Sequence, residues 1–289
     1  MKNIYVNFLS RFCNNIFQYI YALMLHDKLK DKLKDKFDYK LVFSNKCIIK
    51  TGLDEKDVSL IPIFNFIKKN NNFKYIKDYY GVFSNEEKKH ILSKINFNTE
   101  LDRIRKVDVN KDIVLSGYFQ DIKYYVGKKS YIKDKLKYLL RMKINNELNK
   151  DDVVIHVRTT DLIHRQYSYN YYTHCIDSND FKRIFIITDN INHDYIKNLK
   201  EKYKNIIMIS KEVEKKYENG LIINDFLHLY YAKNIIMSIS TFSWFGAWIS
   251  DAEKIYFPYD DRLYLKLHVK EDRYIYVNKK NKFLNYKEI

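Results

Sequence analysis

Residues 153–158 read VVIHVR, an unbroken apolar and β-branched run that predicts a strand buried on both faces. Three similar runs follow it: RIFIITD (183–189), NIIMSIS (234–240) and KIYFP (254–258). Helical patterns separate these runs, at 170–177, 193–204, 223–232 and 243–250. Buried strands that alternate with helices form parallel sheets with both faces covered. The C-terminal half is therefore predicted to be α/β, with a doubly wound parallel sheet.

The N-terminal half carries less regular patterns. It is predicted to contain strands at 3–9 and 112–119 and helices at 14–36 and 130–149. Residues 40–110 alternate short strand and helix signals without recognisable site chemistry. The turn-like sequence NKDD at 149–152 marks a break. We therefore expect an N-terminal α/β domain over residues 1–150 and a C-terminal α/β domain over residues 151–289.

Composition is typical of a compact globular protein. Of the 289 residues, 46% are hydrophobic and 16% aromatic, which is enough for a well-packed core. The three cysteines, Cys13, Cys47 and Cys175, form no C-x-x-C pair, and their odd number argues against a disulfide framework. Polar residues interrupt the N-terminal apolar stretch, and no run of 18 apolar residues exists. These features predict a cytoplasmic protein.

The formal net charge of +16 attracts anions, so nucleic acid, anionic lipid and nucleotide phosphate are all partners to consider. The basic residues are scattered, and abundant Lys, Asn, Ile, Tyr and Phe together are typical of an AT-rich genome. The stretch KLKDKLKDKF (28–37) is explained by a solvated helix face, with peripheral contact to a membrane surface as the alternative. A basic nucleic-acid-binding protein is a further alternative, which predicts salt-dependent binding to single strands. It leaves the ordered motifs below unexplained, so we expect no nucleic-acid partner.

Polar side chains follow three of the predicted strands, where an open parallel sheet binds its ligands. A guanidinium can hold a phosphate bidentately, and hydroxyls with free backbone N–H groups at a helix start can hold phosphate oxygens. The strand ends therefore suit a nucleotide diphosphate. The residues that we expect to gather there are Arg158 and Asp161, Asp189, and Ser240, Thr241 and Ser243.

Each of these residues also has a purely structural interpretation. Arg158 could form a salt bridge with Asp161, because a buried guanidinium without an anion is costly. The hydroxyls at 240–243 could cap a helix, which taken alone explains them better. His156 is as consistent with a hydrogen-bonded core histidine as with a ligand contact.

Several chemistries are argued against by missing motifs. The chain has neither G-x-G-x-x-G nor G-x-x-x-x-G-K-[ST], so dinucleotide and P-loop sites are not expected. No Cys/His spacing resembles a zinc site. The D-x-D carboxylate pair of many metal-dependent sugar transferases is also absent. We therefore expect no metal and no cofactor besides a donor substrate, with protein groups neutralising a departing diphosphate.

Trp244 and Trp248 share one helix face and are predicted to pack in the core.

Two segments of the N-terminal half match motifs of a known family. The sequence NNIFQY at 14–19 is similar to a GNQ-x-FQY element. The sequence GYFQ at 117–120, followed by KYY at 123–125, is similar to a GYFQ-x-x-KY-[FY] segment.

Two further segments lie in the C-terminal half, in the same order as in that family. HVRTTD at 156–161, followed by the tyrosine pair at 171–172, is similar to H-x-R-R-x-D followed by YY. The pair DF at 225–226 and then STFSWFGAW at 240–248 are similar to D-[LF] and NSSFSWWGAW. The last segment is the most specific. With these four segments the chain resembles the bacterial-type α-1,2-fucosyltransferases (glycosyltransferase family 11-like) of the GDP-fucose transferase superfamily.

The resemblance implies a metal-independent, inverting transferase of GT-B-like architecture, with two Rossmann-like halves and the donor on the C-terminal half. It implies a GDP-fucose donor and a galactose-type hydroxyl of a glycan as acceptor. Arg158 would stabilise the leaving GDP, and Asp161 is the motif carboxylate near the reaction. Nucleotide contacts would come from His156, Arg158, Asp189, Asp225, Ser240, Thr241 and Ser243. Acceptor contacts would come from Asn14, Asn15, Gln18, Tyr118 and Gln120.

The chain departs from the family pattern in two places. Thr159 stands where the second Arg of H-x-R-R-x-D is expected, so one cation is missing. The residues before the first helix are Arg11, Phe12 and Cys13 instead of a Gly-rich stretch, which would allow closer backbone approach. Both changes leave two alternatives open: another 6-deoxyhexose donor, such as UDP- or GDP-rhamnose, and a relative that binds GDP without turnover.

Overall fold

The computed structural model describes ten stretches of the chain, at residues 2–9, 12–33, 39–48, 74–76, 92–96, 112–116, 118–159, 167–210, 219–259 and 269–288. The chain divides into two compact units, Met1–Leu136 and Lys137–Ile289. Within the described stretches, no helix is long and apolar enough to cross a membrane.

The first unit is built on a five-stranded parallel sheet. Its strands are β1 (Lys2–Leu9), β2 (Tyr39–Ile48), β3 (Lys74–Ile76), β4 (Leu92–Asn96) and β5 (Asp112–Ser116), in the order β3-β2-β1-β5-β4. Helix α1 (Phe12–Leu33) follows β1 directly. Most side chains of its first half are buried, including those of Asn15 and Gln18, as in a helix enclosed by protein. The strand predicted at 3–9 is confirmed, and so is the helix predicted at 14–36 as far as Leu33; residues 34–36 lie outside the described residues.

Two short helices replace the single helix predicted at 130–149. They are α2 (Lys129–Lys135) and α3 (Lys137–Leu140), preceded by a 3-10 turn at Ile122–Tyr124. The prediction was wrong beyond residue 140, where an Asn-rich stretch forms turns instead, because Asn favours local side-chain hydrogen bonds over helix. The strand predicted at 112–119 ends at Ser116.

The second unit contains a seven-stranded sheet. Its strands are β6 (Val153–Val157), β7 (Ile184–Thr188), β8 (Ile206–Met208), β9 (Asn234–Ile236), β10 (Lys254–Pro258), β11 (Tyr274–Val277) and β12 (Phe283–Leu284). The order is β12-β11-β10-β9-β6-β7-β8, with only β12 antiparallel to its neighbour. From β8 to β11 this is the 3-2-1-4-5-6 order of a doubly wound sheet. The predicted α/β class, with two Rossmann-like halves, is thus confirmed.

Within the described part of this unit, the helices that follow β6 are α4 (Tyr169–Asp177), α5 (Asp194–Lys202), α6 (Asn219–Tyr231) and α7 (Thr241–Ile249). Trp244 and Trp248 are buried and stacked with their ring centroids 5.5 Å apart, as predicted for core residues. Gly246 lets α7 approach α6 closely, because a Cβ at this position would lie 2.8 Å from the Cβ of Leu229.

The two units divide after Leu136, earlier in the chain than the domain boundary predicted between residues 150 and 151. Side chains of the second unit hold the intervening segment. The Tyr231 hydroxyl donates to the carbonyl of Leu140 at 2.6 Å, and the Asn234 amide donates to the carbonyl of Lys150 at 2.8 Å. The turn at 149–152 is present, but it lies inside the second unit.

Candidate functional site

The strand order of the second sheet reverses between β6 and β9, and at such a switch point open α/β sheets bind their ligands. His156 lies on β6, and Ser238 lies just beyond β9. Their side chains meet there, with Nδ1 of the histidine 2.7 Å from the serine hydroxyl. Both residues are buried. The fold therefore brings the motif segment that begins at His156 next to the residues just before the motif segment at 240–248, at the expected crevice.

His156 is a neutral group in this setting. The pKa of its imidazole is lowered to about 3, mainly by burial and also by the positive charge of Arg158, while Asp189 acts in the opposite direction. The ring of Phe242 packs 5.3 Å away, centroid to centroid. An uncharged imidazole cannot supply a proton at neutral pH, so His156 is suited to hydrogen bonding and shaping of the pocket.

The start of α7 faces the same crevice, because α7 follows β9. The Ser240 side chain caps the helix by accepting a hydrogen bond from the Phe242 backbone N–H at 3.2 Å, which bears out the structural interpretation of this residue. Ser243 is fully buried and donates to the Ser238 carbonyl at 3.1 Å. Thr241 is partly exposed in the first turn, so it is better placed than Ser243 to meet a phosphate.

The ends of β6 and β7 are joined through Thr159. Its backbone N–H and its hydroxyl both donate to the same carboxylate oxygen of Asp189, at 2.8 and 3.2 Å. Arg158 is partly exposed beside them, and its backbone is hydrogen-bonded to the side-chain oxygen of Tyr172. The residue that replaces the expected second arginine thus anchors a carboxylate at the strand ends. Asp161, and with it the predicted ion pair to Arg158, lies outside the described residues.

Asp225 lies on α6 in a hydrogen-bonded chain that reaches β7. The Ser210 hydroxyl donates to its carboxylate at 2.7 Å and accepts from the Thr188 backbone N–H at 2.9 Å. The pKa of Asp225 is raised to about 7, because burial raises it by more than the hydrogen bond from Ser210 lowers it. Ser210, just after β8, was not singled out from the sequence, since an isolated serine after a short strand carries no distinctive signal.

The tyrosine pair of α4 forms hydrogen bonds with backbone groups at the strand ends. The buried Tyr171 hydroxyl donates to the Met237 carbonyl at 2.9 Å and lies 3.1 Å from that of Tyr256. Tyr172 holds the Arg158 backbone. The two neighbouring hydroxyls therefore fix the segments that follow β6 and β9.

The first unit has a switch point of its own, between β1 and β5. Asn14, at the start of α1, accepts a hydrogen bond from the Gln120 side-chain amide at 2.5 Å. Asn15 donates to Gln18 at 3.2 Å, and both are buried, whereas Tyr118 is partly exposed. The structure thus brings the predicted acceptor residues Asn14 and Gln120 together across 106 residues, while Asn15 and Gln18 form an internal pair.

Carboxylates, histidines and cysteines are dispersed across the described stretches. No group of three or more of them in that part of the chain could hold a metal ion.

Comparison with known proteins returned remote structural similarities only. No family model matches the chain, and no curated protein matches it. Fucosyltransferase NodZ from Bradyrhizobium is similar at a TM-score of 0.47 and 9% identity, over 88% of this chain and 94% of that one. The E. coli heptosyltransferase WaaC with ADP is similar at a TM-score of 0.42 and 10% identity, over 100% of this chain and 95% of that one.

Proposed function

We propose that this protein is a glycosyltransferase that moves L-fucose from GDP-fucose to a galactose-type hydroxyl of a glycan, with an α-1,2 linkage and without a metal ion. One observation carries the proposal. The motif segment that begins at His156 and the residues just before the segment at 240–248, the most specific of the four, meet at the switch point of a doubly wound sheet through the 2.7 Å contact of His156 with Ser238.

The donor nucleotide is proposed to bind along this crevice. Arg158 provides a guanidinium for the diphosphate, and the backbone N–H groups at the start of α7, with Thr241, provide neutral donors. Asp189 stands at the end of the second strand of the 3-2-1-4-5-6 order, where an acidic residue accepts hydrogen bonds from ribose hydroxyls in nucleotide-binding folds. Asp225 offers a second carboxyl that can accept N–H groups of a base when ionised.

The proposed reaction breaks the bond between the sugar's anomeric carbon and the diphosphate oxygen. The acceptor hydroxyl oxygen forms the new bond from the opposite face, the bonding electrons leave with GDP, and the hydroxyl proton passes to a base. Arg158 and the start of α7 would stabilise the negative charge that builds on the leaving GDP, by about 3 kcal/mol for a well-placed donor. With a pKa of about 3, His156 is too weak a base for this step, and Asp161 is the carboxylate that the motif offers for this role.

A thermal-shift titration with GDP, UDP, CDP and ADP, without added metal, tests the donor assignment. Ligand at one hundred times its Kd stabilises the native state by about 2.7 kcal/mol, so a specific nucleotide should raise the Tm clearly. We expect a response to GDP, its loss in Arg158→Ala, and transfer from GDP-fucose that is reduced at least about 100-fold in that variant. Lys182→Ala, which removes an exposed cation paired with Asp151, is the matched control and should respond like the wild type. Near-normal transfer by Arg158→Ala would contradict the assignment.

A donor with a different 6-deoxyhexose or base is the second candidate. Thr159 favours it, because the residue in place of the expected arginine is neutral and is bonded to Asp189. The same titration separates the two: a response to UDP without one to GDP would indicate a rhamnose-type donor. Binding of GDP without any transfer would indicate a relative that has lost turnover.

A further inference from the structure

The turn that follows β5 contains an unusual backbone conformation. Phe119 has a φ of 53°, in the left-handed region that bulky side chains rarely adopt. It lies at the switch point of the first sheet, immediately before Gln120. A conformation of this kind persists only when surrounding contacts over-determine it.

Two aromatic residues hold Phe119 in place. The Tyr21 ring of α1 stacks on the Phe119 ring, with centroids 4.1 Å apart and planes at 15°. The Tyr125 hydroxyl donates to the Phe119 carbonyl and lies 3.4 Å from the Phe17 carbonyl of α1. Burial raises the pKa of Tyr125 well above its ordinary value, so this hydroxyl keeps the proton that it donates.

The consequence of this turn is the position of Gln120. Its side-chain amide donates to Asn14 of α1 at 2.5 Å. The Tyr125 hydroxyl therefore links the segment that carries Gln120 to the helix that carries Asn14. Amides offer both donors and acceptors without charge, which suits the neutral hydroxyl groups of a sugar. Tyr125 itself is fully buried, so it can act on the site only through the residues that it holds.

We propose that Tyr125 is a positioning residue for the acceptor: its hydroxyl holds the Phe119 turn so that the Gln120 and Asn14 amides together bind hydroxyls of the acceptor sugar. The sugar as ligand rests on the proposed function; the control of Gln120 by Tyr125 does not. The position of each amide group relative to the other is then set by a hydrogen bond outside the site itself.

The test compares Tyr125→Phe with Tyr131→Phe, because each removes one tyrosine hydroxyl from the same unit. The Tyr131 hydroxyl donates to Asp27 at 2.7 Å and is a matched control. The first readout is the ¹⁵N side-chain amide signal of Gln120, assigned with Gln120→Ala. We expect Tyr125→Phe to shift this signal towards that of a free amide, and Tyr131→Phe to leave it in place. An unchanged signal in Tyr125→Phe overturns the proposal whether or not the protein transfers fucose.

The second readout is steady-state transfer from GDP-fucose. Tyr125→Phe should raise the acceptor KM about tenfold, in line with the cost of small misplacements, while the donor KM changes less than about twofold. Adding Gln120→Ala to Tyr125→Phe should cause little further loss, because both changes remove the same contact. An equal rise in the acceptor and donor KM values, or fully additive losses in the double variant, would show a merely structural role. Absence of transfer by the wild type would refute the proposed function and leave the amide signal to decide on Tyr125.

Discussion

Replacement of Asp225 by asparagine should make the protein more stable at alkaline pH and remove part of its pH dependence. The native pKa of Asp225 is about 7, against an ordinary value of 3.8, because burial disfavours the carboxylate. Between these pH values the unfolded chain has lost the proton that the native chain keeps. Stability from this group is therefore fully present below pH 3.8 and is lost as the pH rises to 7.

The magnitude follows from the width of the pH window. From pH 5 to pH 7, each pH unit removes up to about 1.4 kcal/mol of unfolding free energy, or about 2.7 kcal/mol together. Because the Asp225 side chain is partly exposed, solvent screening reduces this, and we expect about 1.5 kcal/mol. His156 acts in the opposite sense, since its lowered pKa adds stability as the pH rises from 3 towards 6.5. Comparison with the wild type at each pH cancels that contribution.

Urea unfolding at pH 5, 6, 7 and 8 measures the effect. The asparagine side chain keeps an oxygen that can accept from Ser210, so Asp225→Asn should lose the titration without losing the hydrogen bond. Its advantage over the wild type should grow by about 1.5 kcal/mol between pH 5 and 8. Asp194→Asn, which removes an exposed carboxylate paired with Lys197 at 3.2 Å, should keep the wild-type slope. Parallel pH profiles for Asp225→Asn and the wild type would refute this reasoning.

Two further substitutions test the packing that places the site. Gly246→Ala should lower the urea midpoint by the equivalent of about 1–3 kcal/mol, because the added Cβ would lie 2.8 Å from the Cβ of Leu229; an unchanged midpoint would show that α6 and α7 can separate at no cost. Tyr171→Phe should cost about 1–2 kcal/mol in the same assay, because it leaves the buried carbonyls of Met237 and Tyr256 without this donor, and it should weaken GDP binding by displacing the segment after β9. Loss of stability with GDP affinity unchanged would confine Tyr171 to the core.

The elements that could be predicted are those whose signal is local. Long β-branched runs such as 153–157 and 184–188 are buried on both faces, so their composition alone indicates strands. The hydroxyl at Ser240 similarly marks the start of α7. Strands β8 and β12, with three and two residues, were not predicted, because such short segments become strands only through pairing with a neighbour.

The site was predictable in its residue types and not in its contacts. From the sequence, Thr159 was identified only as the position where an expected arginine is missing. The structure shows that it donates hydrogen bonds to Asp189. Asp225 was singled out from a motif, but Ser210, its hydrogen-bond donor, was not. The conformation of Phe119 was also beyond the sequence, since nothing in the residue type favours a positive φ.

The sequence by itself determined that strands and helices alternate in the C-terminal half and which polar side chains stand near the strand ends, because each of these depends on neighbouring residues. The tertiary structure decided which strand ends are adjacent. Pairing of β6 with β9 brings His156 to Ser238 across 82 residues, and pairing of β1 with β5 brings Asn14 to Gln120 across 106. Such pairings depend on long-range packing that must offset the entropy of closing the intervening loops, and no local pattern records that balance.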